Sequence, residues 1–221
     1  MSAQVSEICN KLRKEHTKTW AVYKSECKGV KLLNYIEDNT IITERLVVRP
    51  VAVSDAEEIH EYAGDKDIDK MLFLPNDTIE QTREFVKNAI NQWAMQSPSV
   101  REFVMLYRGR IIGGINLETV DESTYEIGWV ISKDYRNNGF VTEAGKALIG
   151  YSFEVLSAKK VIAHCDIRNR ASEKVMQKLG MTLKYNSGTR FYEKTGVTSG
   201  ELMYCIKKSD VSGTHSIDNN L

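Results

Sequence analysis

Residues Tyr125–Ala144 read YEIGWVISKDYRNNGFVTEA. The stretch starts as an apolar strand, breaks into a polar loop at Arg136-Asn137-Asn138-Gly139, and then opens a helix. A loop of this kind at a helix N-terminus presents backbone N–H groups that have no intrahelical partner, at the positive end of the helix dipole. That combination suits a phosphate. The same residues also read as a plain strand-to-helix turn carrying a glycine. No Gly-Lys-Ser/Thr follows, so this is not a Walker A loop, and Gly139 stands alone, so it is not a dinucleotide fingerprint.

Downstream, the spacing predicts a helix from about Thr142 to Leu156, with Val141, Ala144, Leu148, Tyr151 and Val155 on one side. Val161–Asp166 follows as a strand. Asn169 then caps a helix that runs through Leu179 and is ended by Gly180. Two last strands, near Met181–Tyr185 and Glu201–Ile206, are joined by a polar loop. Upstream, Ile41–Arg49 reads as a strand closed by Pro50, and Ser54-Asp55 opens a short helix carrying Ile59 and Tyr62. The Gly64–Asp77 segment reads as an exposed loop. Thr78 and Gln81 form a capping box for a helix whose stripe is Thr82, Phe85, Val86, Ala89, Ile90 and Trp93. Glu102–Tyr107, Arg110–Leu117 and Tyr125–Ile131 follow as an antiparallel meander. The order β-α-α-β-β-β-α-β-α-β-β makes an α+β chain on a mixed sheet.

The 221 residues are 42% hydrophobic, with thirty basic residues offsetting thirty acidic ones. A globular chain without a global field for nucleic acid or an anionic membrane follows from that balance. Cys9, Cys27, Cys165 and Cys205 are scattered, which argues against metal ligation and a disulfide framework. The expected division is a helical appendage over 1–40, one domain over 41–208, and a polar, disordered tail over 209–221. A cytoplasmic location is expected, and a homodimer is left open.

Several motifs in order resemble the GNAT acetyltransferase superfamily, and within it the Rim-type N-acetyltransferases. Thr43-Glu44-Arg45-Leu46 with Arg49-Pro50 resembles the Rim-type opening, and Ile112-Gly113 its second strand. Tyr125–Val130 resembles the E-I-G-Y-x-I strand, and Arg136-x-x-Gly139-x-Val141 the coenzyme A loop. Asn169-x-x-Ser172 through Lys178-Leu179-Gly180-Met181 is similar to N-x-x-S…K-x-G-F. The resemblance spans roughly Thr43 to Lys208. It implies a GNAT fold with a mostly antiparallel sheet of six to seven strands, acetyl-coenzyme A as donor, and no metal.

On that resemblance, N–H groups from Asn137 to Val141, with Arg136, Asn138, Gly139 and Thr142 around them, hold the pyrophosphate. The pantetheine arm pairs with backbone near Trp129 and Ile131, and Asn169 and Ser172 lie beside it. A valine at position 141, in place of a small residue, adds bulk beside the pyrophosphate. The tyrosine that many members use as general acid is replaced by Met176, which leaves Ser172 for that role.

Attack on a thioester needs a neutral amine. An α-amine is roughly a tenth neutral at pH 7, and a lysine about one part in 2,500. Glu126, on a strand face with Gly128 and Val130, is the candidate base, with His164 and Asp166 as rivals. The acceptor site is expected between the Gly64–Asp77 loop, with Asp65, Asp67, Asp69 and Asp77, and a Gly188–Gly200 loop. A protein or peptide N-terminal amine is the expected acceptor. The alternatives are a small amine such as an antibiotic or polyamine, or a module that binds an acyl-coenzyme A without turnover.

Overall fold

The computed structural model of the chain describes residues 39–65, 77–192 and 196–212. The expected appendage, most of the Gly64–Asp77 loop with Asp67 and Asp69, and the chain beyond 212 lie outside the described residues.

The first strand read from sequence is two strands, β1 (Ile41–Ile42) and β2 (Leu46–Pro50). Between them Thr43 Oγ1 accepts from Leu46 N–H at 3.0 Å, and Thr43 N–H donates to the Leu46 carbonyl at 2.9 Å. A hydroxyl that satisfies local backbone folds the segment into a hairpin. Arg49 then fixes the chain reversal into α1 (Ala56–Ala63). Its Nη1 and Nη2 meet Asp55 Oδ2 and Oδ1 at 2.7 and 2.8 Å, with both side chains buried. Removing one partner of such a pair leaves a stranded charge, at a cost of about 3–5 kcal/mol. α2 (Ile79–Trp93) begins with the capping box, Thr78 Oγ1 accepting from Gln81 N–H and Gln81 Oε1 accepting from Thr78 N–H, both at 3.2 Å.

The meander follows as β3 (Val100–Tyr107), β4 (Arg110–Asp121) and β5 (Thr124–Ile131). Next come α3 (Phe140–Glu154), β6 (Lys160–Asp166) and α4 (Arg170–Lys178), and then β7 (Thr182–Tyr192), β8 (Val197–Lys207) and α5 (Lys208–Ser212). Strand order is β1-β2-β3-β4-β5-β6-β8-β7, eight strands rather than six to seven. Every neighbouring pair is antiparallel except β5 and β6.

Three expectations need correction. The polar loop expected over Gly188–Gly200 is instead an antiparallel ladder, with Gly188 opposite Glu201 and Tyr192 opposite Val197. β7 is an edge strand with nearly every side chain exposed, so it carries no alternation for a sequence reading to find. Lys208–Ser212 is a helical turn rather than tail. Val155, placed on the buried stripe of α3, is 61% exposed, because the helix ends at Glu154 and Val155 is its cap.

The main core lies between α3 and one face of the sheet. Phe103, Met105, Ile115, Leu117 and Ile127 pack there against Ala144 and Leu148. α1 and α2 cover the other face with Ile59, Tyr62 and Val86. Alternation along β5 buries Tyr125 and Ile127 in the main core and turns Glu126, Gly128 and Val130 toward α1 and α2. Among the described residues, no helix is long and apolar enough to cross a membrane.

Candidate active site

β5 and β6 pair only over Thr124–Glu126 against Lys160–Ile162, and beyond that they part. The β6-facing edge of β5 is therefore open through Ile131, while its other edge stays bonded to β4. A cleft of about 370 Å³ occupies the gap, with Trp129, Val130 and Ile131 on one wall and Asn169, Ser172 and Val175 on the other.

The Arg136–Gly139 loop closes one end of this cleft. Gly139 caps α3 at φ +79°, a conformation that L side chains rarely adopt, and Asn137 is also left-handed at φ +62°. The first intrahelical donor is Glu143 N–H, to the Gly139 carbonyl at 3.0 Å. The amides of Phe140, Val141 and Thr142 therefore lack an i−4 acceptor. Asn138 Nδ2 donates to the carbonyls of Tyr135 and Arg136 at 3.2 and 3.0 Å, so its side chain braces the loop rather than pointing at a ligand.

Arg45 ties this loop to β2. Its Nη1 donates to the Asn138 carbonyl at 3.0 Å, its Nε meets Glu143 Oε2 at 2.6 Å, and its guanidinium lies 4.6 Å over the Phe140 ring. Glu143 also accepts from Thr43 Oγ1 and Arg45 N–H, at 2.6 and 2.8 Å. Burial opposes its charge, but these bonds win and hold its carboxyl below the usual range. The sequence reading missed this role of Arg45, because nothing local marks a contact across about a hundred residues.

Residues 45–182 match the family described as the acetyltransferase (GNAT) domain. The chain belongs to that family. The GNAT chain is 32% identical over 144 residues to the uncharacterized N-acetyltransferase YnaD of Bacillus subtilis (strain 168), covering 64% of this chain and 81% of the relative. It is 27% identical over 145 residues to the putative ribosomal N-acetyltransferase YdaF of the same organism, covering 63% and 79%. An acetyltransferase of the GNAT family from Bacillus anthracis superposes with a TM-score of 0.67 at 29% identity, over 77% of this chain and 99% of that one. A spermidine N-acetyltransferase from Vibrio cholerae, solved with CoA and spermine, shares the fold at 18% identity and TM-score 0.64, over 75% and 96%.

The GNAT cleft suits an acyl-coenzyme A. Arg136, Lys174 and Lys178 line it, and no carboxylate does among the described residues. Lys174 escaped the sequence reading, which quoted Lys178 only as part of a motif, although one helical turn separates the two on α4. Val141 packs in the main core at 7% exposure and also forms part of the cleft lining. Met176 is likewise fully buried in the core. Asn169 caps α4 as expected, with Oδ1 accepting from Ser172 N–H at 3.0 Å.

At the apex of the gap, His164 Nδ1 lies 2.9 Å from Glu126 Oε1, and His164 Nε2 lies 3.0 Å from the Tyr185 hydroxyl. The bond to Glu126 raises the His164 pKa against the opposing effect of burial. Asp166 is unsuited as a base. Its buried carboxylate accepts from Arg168 N–H, Nε and Nη2 and from the Tyr192 hydroxyl, and the Arg168 bonds hold its pKa far below the usual range. Cys165 sits in the main core, where burial pushes its thiol up to about 11. A thiol that protonated and that enclosed is a poor nucleophile.

A second cavity, of about 140 Å³, lies between α1, α2 and the open face of β3–β5. Trp129 and Val130 line both this cavity and the cleft. Of the acidic loop expected at the acceptor site, Asp65 pairs with Lys133 Nζ at 3.0 Å.

Proposed function

We propose that the chain transfers acetyl from acetyl-coenzyme A directly to a primary amine, and that the acceptor is the N-terminal amine of a protein or peptide. The observation that carries this reading is the continuity of the parted β5 edge. It runs from the Gly139 amides to Trp129–Val130, the residues that also line the second cavity. A diphosphate at the amides of Gly139–Thr142, with Arg136 beside them, places a pantetheine-length arm along Trp129 and Ile131. Asn169 and Ser172 face that arm from α4.

Glu126 serves as the proton acceptor as the amine nitrogen bonds to the acetyl carbon, directly or through a water, and His164 orients it. The carbon–sulfur bond breaks, and Ser172, on the cleft wall, gives the departing thiolate its proton. No enzyme thiol takes part, in keeping with the inert Cys165. The ribosomal name of the YdaF relative supports a protein acceptor. The spermine in the Vibrio cholerae structure keeps a small polyamine as the second reading. Against a non-catalytic binding module, Val141 packs in the core, and Ser172 on the cleft wall stands in for the acid that Met176 cannot supply.

The test is acetyl-coenzyme A with a set of unblocked peptides, spermidine and an aminoglycoside, following thiol release and product mass. Acetylated peptide N-termini are expected. Turnover of spermidine or the aminoglycoside alone overturns the protein acceptor, and acetyl-coenzyme A binding without any transfer overturns the reaction.

A further inference from the structure

Glu102 is a carboxylate that the sequence pattern does not explain. It stands on β3 in the same alternation as Val104, facing the second cavity, where nearly all the walls are apolar or aromatic: Ile59, Tyr62, Phe85, Trp129 and Val130. Asn116 Nδ2 donates to its Oε1 at 3.0 Å, and the register sets Glu102, Asn116 and Gly128 in a row across β3, β4 and β5. Gly128 is what makes room for the row, since a Cβ there would lie 2.6 Å from Asn116 Oδ1. Phe85, which helical spacing places on a buried stripe, is 39% exposed and lines this cavity instead.

A carboxylate in such walls is costly unless a cation or a proton meets it. No Lys, Arg or His lines the cavity among the described residues. The titratable groups near Glu102 are Tyr62 of α1, whose phenol burial pushes far up and keeps neutral, and Glu118 of β4, whose like charge disfavours a second anion. Burial is the larger influence, and together with Glu118 it outweighs the Asn116 bond and raises Glu102 to about 7.

Resting on the acetyl transfer proposed above, we propose that Glu102 is a second catalytic carboxylate, which receives the acceptor as its ammonium and takes the first of its two protons. The chemistry balances as follows. The ammonium loses one proton to Glu102 and becomes the nucleophile. Its nitrogen–carbon bond to acetyl forms as the carbon–sulfur bond breaks. The second nitrogen proton passes to Glu126, one proton goes to the thiolate, and one returns to solvent. The same walls that disfavour a lone carboxylate favour the neutral acid–amine pair over the ion pair.

The acceptor class follows from the proton balance. Against a carboxyl near 7, an α-amine at about 7.7–8.0 gives up its proton at little cost, whereas a lysine near 10.4 does so at a cost of three decades. The cavity of about 140 Å³, walled by Ile59, Tyr62, Phe85 and Val130, suits a slender apolar residue. With that proton balance, the site takes the α-amine of such a residue.

The test compares wild type, E102Q and E102D on three acceptors: an unblocked alanyl tripeptide amide, Nα-acetyl-lysine amide and spermidine. Acetyl-coenzyme A affinity is measured separately by calorimetry. Wild type is expected to prefer the tripeptide amide. E102Q should lower its kcat/KM at least tenfold and shrink the preference over Nα-acetyl-lysine amide, with acetyl-coenzyme A affinity within twofold, and E102D should restore part of the loss. Unchanged kcat/KM and preference in E102Q overturn the role of Glu102 while leaving the transfer reaction standing. A wild type that prefers the lysine amide or spermidine overturns the acceptor class. A wild type that binds acetyl-coenzyme A and acetylates none of the three overturns the transfer reaction and this role with it.

Discussion

Glu126 Oε1 and His164 Nδ1 meet at 2.9 Å across the point where β5 and β6 cease to pair. The bond spans the apex of the gap, so the carboxylate is held where the two strands diverge. Replacing Glu126 with Gln keeps an acceptor for His164 and removes the base. Turnover should fall about 10²- to 10³-fold, and less for an acceptor already partly neutral at the assay pH. Acetyl-coenzyme A affinity should hold, as calorimetry on the variant would check.

His164 gives the site a pH dependence of defined sign. Its pKa in the fold is raised above 6.5, first by the Glu126 bond. The stabilisation from the charged ring is therefore complete below about 6.5 and is lost as pH rises through the raised value. The charged ring also keeps the Glu126 carboxylate occupied through the 2.9 Å bond, so activity should climb over the same interval. His164→Gln should move that acid limb to lower pH, and its stability deficit should be larger at pH 5.5 than at pH 8.5. Rate profiles and thermal melts at the two pH values read both effects.

The phosphate cradle makes a separable prediction. Gly139→Val forces a β-branched residue into φ +79°, at about 1–2 kcal/mol of strain, and should weaken acetyl-coenzyme A binding at least tenfold. Arg45→Ala leaves the glycine intact but removes the bonds to Asn138 and Glu143. With Arg45 partly exposed, the stability loss should be about 1 kcal/mol, and the affinity loss should be smaller than for the glycine variant. Denaturant melts and calorimetry separate the two.

Glu102 should leave a signature in stability as well as in rate. Its folded pKa near 7 lies above its usual value, so native protein binds the extra proton between about 4.5 and 7, and stability falls as pH rises through that window. Glu102→Gln preserves the Asn116 partner and removes the charge. It should be about 1–3 kcal/mol more stable than wild type at pH 8 and close to it at pH 4.5. Equal differences at both values would mean the carboxyl stays ionised throughout.

The elements with strong local signals were legible without coordinates. The Thr78–Gln81 box, the Asn169 cap, the positive-φ Gly180 and the alternation along β5 all appear where the spacing puts them. The outer part of the β7–β8 hairpin was not, because β7 is an edge strand whose side chains are mostly exposed and it has no hydrophobic period to betray it. Within the site, the Gly139 turn and the face of Glu126 could be read from residue type and period. Tyr185, Lys174 and Glu102 could not: an exposed tyrosine on an edge strand and a glutamate beginning an apolar strand look like ordinary surface residues.

The sequence by itself determined the periods, the caps and the glycine turn, and with them a phosphate-sized cradle, because those depend on neighbours within a few residues. Only the tertiary structure decided that β5 and β6 part after Glu126, that Val141 and Met176 turn into the core, and that Arg45 reaches the loop from β2. It alone set Glu102 in an apolar cavity that shares Trp129 and Val130 with the cleft. Register between strands distant in sequence fixes which side chains share a space, and that sharing sets how a carboxylate titrates.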